Sequence, residues 1–259
     1  MTDAQWIRLD GAANARDVGG LPLLEGGSVR PGRLLRSDNL QDLSPRDVRL
    51  LVDDLRVRTV IDLRMQHEVD GEGDGPLVIE PLVDVRHLSL LRDTPTDVPA
   101  GEVQEEILPW QRPLGSTRPD PRHTYMKYLY GRPDSVLESL RLIASTQGAT
   151  LVHCAAGKDR TGVIVALALS EVGVARDAIV RDYVGDSERI GLVMDRLVAS
   201  PTYEWVAKMV DPLNQMPLAA TMTGFLEDLD AQAGGVRGWL RANGWTEDDA
   251  AWLRRNLIG

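Results

Sequence analysis

The sequence predicts an α/β fold: a central, mostly parallel sheet flanked by helices, in one domain over residues 1–259. Two observations carry this. Short apolar, β-branched runs alternate with helical patterns through the first two thirds of the chain, as in a parallel sheet with crossover helices. After about residue 175 the pattern is almost all helical, and no repeat, low-complexity tract or composition break marks a second domain.

Taken in order, residues 11–20 (GAANARDVGG) read as a loop with a turn at Gly19 and Gly20, and Pro31-Gly32 opens another turn. Arg33 to Ser37 read as a strand. Ser44-Pro45-Arg46-Asp47 is a helix start: Ser44 caps, Pro45 suits the first helical position, and Asp47 completes a capping-box spacing. Val48, Leu51, Val52 and Leu55 then repeat at i, i+3, i+4, i+7 on one face. Thr59 to Arg64 and His87 to Leu91 read as strands. Residues 92–122 hold six of the fifteen prolines with little periodicity, and read as a long loop or insertion. A helix resumes at Asp134, with Val136, Leu140, Ile143 and Ala144 on one face. Ala149 to Val152 form a short buried-strand pattern, and Val163 to Leu169 an apolar run suited to a buried helix. Ile190, Val193, Met194, Leu197 and Val198 make an amphipathic face. Asn243-Gly244 stops one helix, and Thr246-Glu247-Asp248-Asp249 starts the last.

Composition narrows the function. Apolar residues make up 43% and charged residues 26%, as in ordinary globular chains. No run of about 18 apolar residues occurs, so no membrane span is predicted. The first ten residues lack a basic start and an apolar core, so no secretion signal is read there. The net charge of −10 argues against a broad nucleic-acid surface and requires any anion site to build its own positive field. A single cysteine, Cys154, excludes an internal disulfide and a multi-thiolate metal site and fits a reducing cytoplasm. The histidines at 67, 87, 123 and 153 show no metal-ligand spacing, and neither metal nor other cofactor is expected.

The chemistry lies between the apolar strand and the apolar helix, in His153-Cys154-Ala155-Ala156-Gly157-Lys158-Asp159-Arg160-Thr161-Gly162. A loop leading from a strand into a helix N-terminus turns successive backbone N–H groups toward one point and binds anions. Gly157 and Gly162 let the backbone turn and approach closely. Ala155, Ala156, Gly157, Lys158, Asp159 and Arg160 are thus the candidate phosphate cradle. Arg160 offers a planar fork for two phosphate oxygens, and Lys158 adds a second cation. A helix N-terminus and nearby cations favour a nucleophilic thiolate, the role assigned to Cys154. Thr161 is placed to donate to the cysteine sulfur when it leaves, and His153 to order the nucleophile or favour its ionised form.

His153-Cys154-x5-Arg160-Thr161 resembles the signature loop of the cysteine-dependent tyrosine phosphatase superfamily. Gly157 to Gly162, together with Asn14-x-Arg16-Asp17-x-Gly19-Gly20, Arg30-Pro31-Gly32-Arg33-Leu34-x-Arg36-Ser37, Asp62-Leu63-Arg64 and Gly235-x3-Trp239-Leu240, resembles its bacterial branch of tyrosine and lipid phosphatases from mycobacteria and listeria. The resemblance implies a tyrosine-phosphatase-like fold, a phosphocysteine intermediate on Cys154 and no metal. It also implies that Asp159, inside the loop, is the general acid, because no Trp-Pro-Asp loop is present. Asp62, at a strand end beside the loop, is the alternative acid or a structural partner of an arginine. Asn14, Arg16 and Asp17 are expected to support the site structurally. The helices over residues 186–230, with Met194, Met209, Met216 and Met222, are expected either to form a lid, as that family has, or to pack in the core.

The expected substrate is a phosphotyrosine protein. Phosphoinositides are the alternative, because lipid-phosphatase variants of this loop also carry a lysine at the position of Lys158. Two rivals of other classes are a rhodanese-like sulfurtransferase, whose loop is usually one residue shorter, and a non-catalytic phosphate-binding module.

Overall fold

The structure, a computed structural model, describes residues 5–92, 121–203 and 215–259. Strands β1 (Gln5–Trp6), β2 (Arg16–Asp17), β3 (Leu34–Ser37), β4 (Val57–Asp62), β5 (Asp84–His87) and β6 (Ala149–His153) form one sheet in the order β1-β2-β3-β6-β4-β5. The four longer strands run parallel, and the two short N-terminal ones add an antiparallel margin. All five residues of β6 are buried, as expected of a central strand covered on both faces.

Helices α1 (Pro45–Arg49) and α2 (Gln66–Glu72) belong to the N-terminal half. They are followed by α3 (Pro121–Gly131), α4 (Pro133–Ser145), α5 (Asp159–Glu171), α6 (Arg176–Gly185), α7 (Ile190–Ala199), α8 (Ala219–Ala233), α9 (Gly235–Ala242) and α10 (Glu247–Leu257). Both sequence-predicted capping boxes form, Ser44 with Asp47 and Thr246 with Asp249. Asp47 also accepts from the N–H groups of Asp10 and Gly11 at 2.9 Å, which ties the N-terminal segment to α1. The main apolar core lies between one sheet face and helices α3 to α6 and α8 to α10. A second cluster fills the other face beneath α1 and its π-helical extension, Leu50–Asp54.

Three expectations need correction. The strand read at residues 87–91 lies three residues earlier. Its register on β4 ends at Asp62 opposite His87, and the chain then turns inward to bury Leu90 and Leu91. The strand read through Arg64 stops at Asp62, because Arg64 folds back onto the Asp62 carboxylate. The end of the proline-rich stretch is already helical from Pro121, and its residues 93–120 lie outside the described ones. Of the two roles open to the helices over residues 186–230, α8 takes core packing: Met222, Phe225, Leu226 and Leu229 are buried in the main cluster. Met209 lies outside the described residues.

Candidate active site

Parallel strands deliver their C-terminal ends to one edge of the sheet, where ligands of open α/β sheets bind. Here β3 ends at Ser37 and leads into Asp38, β4 ends at Asp62 and leads into Leu63 and Arg64, and the central β6 ends at His153 and leads into Cys154. Helix α5 starts five residues after Cys154, at Asp159. Nearly every α5 residue is buried, so the apolar run that predicted the helix also seats its N-terminus in the interior.

The loop between them is tied by its carbonyls. Asn39 N–H donates to Ala155 O at 3.0 Å, Asn14 Nδ2 to Ala156 O at 3.1 Å, and Arg36 Nη2 to Gly157 O at 2.7 Å. Three successive carbonyls are thus turned to the scaffold, which leaves the peptide N–H side of the loop for an anion. Gly157 is needed on two counts: its φ is +69°, and a Cβ there would stand 2.5 Å from Ser37 O. Cys154 is 1% exposed, and Thr161 Oγ1 donates to its sulfur at 3.2 Å.

Beneath the loop lies a buried ion-pair network that the sequence only hinted at. Arg16 donates to Asp182 Oδ1 at 2.9 Å and to Asp186 Oδ1 at 2.6 Å. Arg36 donates to Asp182 Oδ2 at 2.5 Å and to Asp186 Oδ2 at 2.8 Å. Asn14 Nδ2 also reaches Asp186 Oδ1 at 2.9 Å. Two arginines face two aspartates, so the charges balance within the cluster. Burial would raise the Asp182 carboxyl, but Arg16 and Arg36 reverse this and hold it below the ordinary carboxylate range. Asp17 lies apart, capping the neighbouring turn through the N–H groups of Gly19 and Gly32 at 2.8 and 2.6 Å.

Arg160 is fully buried, and Glu68 holds its guanidinium in a fork: Nη1 to Oε2 at 2.5 Å and Nη2 to Oε1 at 2.9 Å. Tyr203 donates to Glu68 Oε1 at 3.0 Å, and the Met65 N–H to Oε2 at 2.7 Å. Burial would raise the Glu68 carboxyl; Arg160 outweighs it and keeps Glu68 ionised. Glu68 was missed because it lies 92 residues from Arg160. Its one local signal is a place in the first turn of α2.

Asp159, the first residue of α5, has a side chain only 3% exposed. Its Oδ1 accepts from the Tyr125 hydroxyl, and its Oδ2 lies 3.5 Å from Lys158 Nζ. Lys158 Nζ itself donates to Gln215 O at 2.8 Å, so here it bonds to the chain rather than pointing as a free cation. Asp62 accepts from Arg64 through both oxygens, at 2.5–3.0 Å. Burial alone would raise its carboxyl, but His153 and Arg64 hold it well below the carboxylate range. His153 lies 3.7 Å from Asp62 Oδ1, and burial pushes its imidazole down to about 4. It is therefore neutral at pH 7, and its contact with the nucleophile's residue is through Nδ1, 3.4 Å from Cys154 O.

A strand end with a buried thiol, a carbonyl-anchored anion loop and a forked arginine is phosphatase geometry. The sequence profile of the tyrosine phosphatase family matches residues 7–259. This chain belongs to the tyrosine phosphatase family. It is similar to the Mycobacterium tuberculosis protein named triple specificity protein phosphatase PtpB, 28% identical over 97% of this chain and 98% of the relative. A Cupriavidus necator protein, provisionally named a tyrosine-protein phosphatase, is 30% identical over 97% and 88% of the two chains. A Nostoc commune tyrosine-protein phosphatase is 26% identical over 78% and 67%. The family depends on a cysteine, and Cys154 is the one this phosphatase has. No helix of the described residues is long and apolar enough to cross a membrane.

The site is roofed. Ile190, Val193, Met194 and Leu197 of α7, with Tyr203, form one apolar cluster with Ala155 and Ala156 of the loop, and Met216 packs at its margin. Val198, expected on the same face, is 36% exposed and turned outward.

Proposed function

We propose that this phosphatase hydrolyses phosphotyrosine, with a scope extending to other phosphate monoesters, through a phosphocysteine on Cys154. The Cys154 thiolate attacks phosphorus; an S–P bond forms and the P–O bond to the alcohol breaks. The leaving oxygen takes a proton from Asp159. Water then attacks the phosphocysteine, the S–P bond breaks, and Asp159 takes the proton back as inorganic phosphate departs. The N–H groups of Ala155 to Asp159 and the Arg160 guanidinium hold the equatorial oxygens. The Thr161 hydroxyl stabilises the sulfur as it leaves. Lys158 would exchange its Gln215 partner for the dianion.

The observation that carries this reading is the set of ties on the Ala155, Ala156 and Gly157 carbonyls around the buried thiol. Asp159 is favoured over Asp62 as the acid by its place inside the loop, and Asp62 is disfavoured by its arginine partner. A carboxylate held low by an arginine fork cannot store a proton at neutral pH. The breadth of scope rests on the words 'triple specificity' in the name of the mycobacterial relative; phosphoinositides are a secondary class that rests on Lys158 in the loop. A lid role for α7 rests on the apolar contacts with Ala155 and Ala156, which must open before an ester reaches Cys154. A lone active thiol suits a reducing cytoplasm.

The test is a kcat/KM ranking on phosphotyrosine peptide, phosphoserine peptide and a soluble phosphoinositide, with Cys154→Ser as control. Phosphotyrosine should lead, and Cys154→Ser should lose at least about 10⁴-fold on every substrate. Turnover that survives Cys154→Ser would end the phosphocysteine reading. Transfer of sulfur from thiosulfate would move the chain to the sulfurtransferases.

A further inference from the structure

The two oxygens of Asp159 have unequal surroundings. Oδ1 accepts from the Tyr125 hydroxyl, whereas Oδ2 is buried without a hydrogen bond and lies 3.5 Å from Lys158 Nζ. The Tyr125 and Tyr183 hydroxyls are 2.8 Å apart. A phenol has one proton to give. Because Tyr125 spends its proton on Asp159, the hydrogen between the two tyrosines must come from Tyr183. The order is therefore Tyr183 O–H to Tyr125 O, and Tyr125 O–H to Asp159 Oδ1.

Packing fixes this chain of donors. Tyr125 is fully buried, stacked on Tyr128 with centroids 6.0 Å apart, and edge-on to Tyr183 at 6.5 Å and to Phe225 at 5.6 Å. Tyr183 stands against the loop's last glycine: a Cβ at Gly162 would come within 3.1 Å of its ring. Burial, then the Asp159 carboxylate, holds the Tyr125 hydroxyl well above its ordinary ionisation range, so it remains a donor at any working pH.

We propose that Tyr125, backed by Tyr183, is a positioning residue for the general acid: by occupying Oδ1 of Asp159 it assigns the catalytic proton to Oδ2. This deepens the reading of Asp159 as the acid and rests on it. With Oδ1 engaged, a neutral carboxyl carries its hydrogen on Oδ2. After that proton passes to the leaving oxygen, Tyr125 steadies the new carboxylate until water returns a proton. Without the Tyr125 hydroxyl the carboxyl is free to turn and to hold its proton on either oxygen. The penalty falls only on esters whose leaving group needs the proton.

The experiment compares kcat and KM for p-nitrophenyl phosphate, a good leaving group, and phenyl phosphate, a poor one. Tyr125→Phe should lose less than about threefold on the first and about 10–100-fold in kcat on the second, with KM unchanged. Tyr183→Phe should show the same selectivity at about 3–10-fold. A purely structural tyrosine would lower both substrates together. Equal losses on the two esters, or no loss on phenyl phosphate, in folded Tyr125→Phe overturn the inference. If Tyr125→Phe does not fold, an unselective Tyr183→Phe does so. Asp159→Asn separates the two layers. Without leaving-group selectivity of its own it removes the acid assignment and this inference with it. Selective Asp159→Asn beside unselective Tyr125→Phe removes the inference alone.

Discussion

The floor and the roof of the catalytic loop are built from opposite materials. The floor is charge against charge: Arg16 and Arg36 on Asp182 and Asp186, Arg160 on Glu68, and carbonyls tied at 2.7–3.1 Å. The roof is apolar: α7 and Tyr203 on two alanines. Buried ion pairs are directional and costly to break singly, so they hold one geometry. Apolar contacts are non-directional, and a small apolar face can separate and close again at modest cost. A site that must present fixed donors yet admit a bulky ester needs the first beneath and the second above.

This contrast can be broken most forcefully at Asp186. Asp186→Ala leaves Arg16 and Arg36 short of a buried counter-charge and should destabilise the protein by about 3–5 kcal/mol in urea unfolding. A loss below about 1 kcal/mol would mean that the floor is not an electrostatic frame.

The next effect is in the pH dependence. His153 titrates at about 4 in the fold against an ordinary value of 6.5, so the unfolded chain binds the extra proton first. This contribution to stability is complete above about pH 6.5 and is lost as pH falls toward 4, to a total of roughly 3 kcal/mol. The carboxylates Asp62, Glu68 and Asp182 are depressed instead, and their contribution is lost mainly at lower pH. His153→Gln should therefore flatten the stability curve between pH 6.5 and 5. An unchanged slope there would place the titration elsewhere.

Glu68→Gln keeps the shape of the Arg160 fork but removes its charge. A cost of about 1–3 kcal/mol in transition-state stabilisation, or roughly 10–100-fold in kcat/KM for p-nitrophenyl phosphate, is expected. Wild-type turnover would show that Arg160 needs no anchor. The smallest effect belongs to the roof: Ile190→Val should cost about 0.5–1.5 kcal/mol in stability and leave kcat within about twofold. A tenfold fall in kcat would show that α7 shapes the chemistry rather than covering it.

What could be read without coordinates follows the same division. The loop from His153 to Gly162 was legible because phosphate binding imposes a local spacing, and the flanking strand and helix were legible from their apolar periods. The capping boxes of α1 and α10 were legible because their partners lie three residues apart. Asn14 and Arg16 stood out as a motif, but their target did not: Asn14 lies 142 residues from Ala156, and Arg16 170 from Asp186. The misplaced fifth strand shows the same limit. Its apolar residues are buried as expected, but strand pairing ends where β4 ends.

By itself, then, the sequence determined the α/β alternation, the strand–loop–helix around Cys154 and the candidate nucleophile, since each depends on neighbours within a few residues. Tertiary structure alone decided that Glu68 grips Arg160, that Asp182 and Asp186 support the floor, that His153 is neutral, and that Tyr125 reaches Asp159. Those outcomes depend on burial and on pairs 34 to 172 residues apart, which no local pattern encodes.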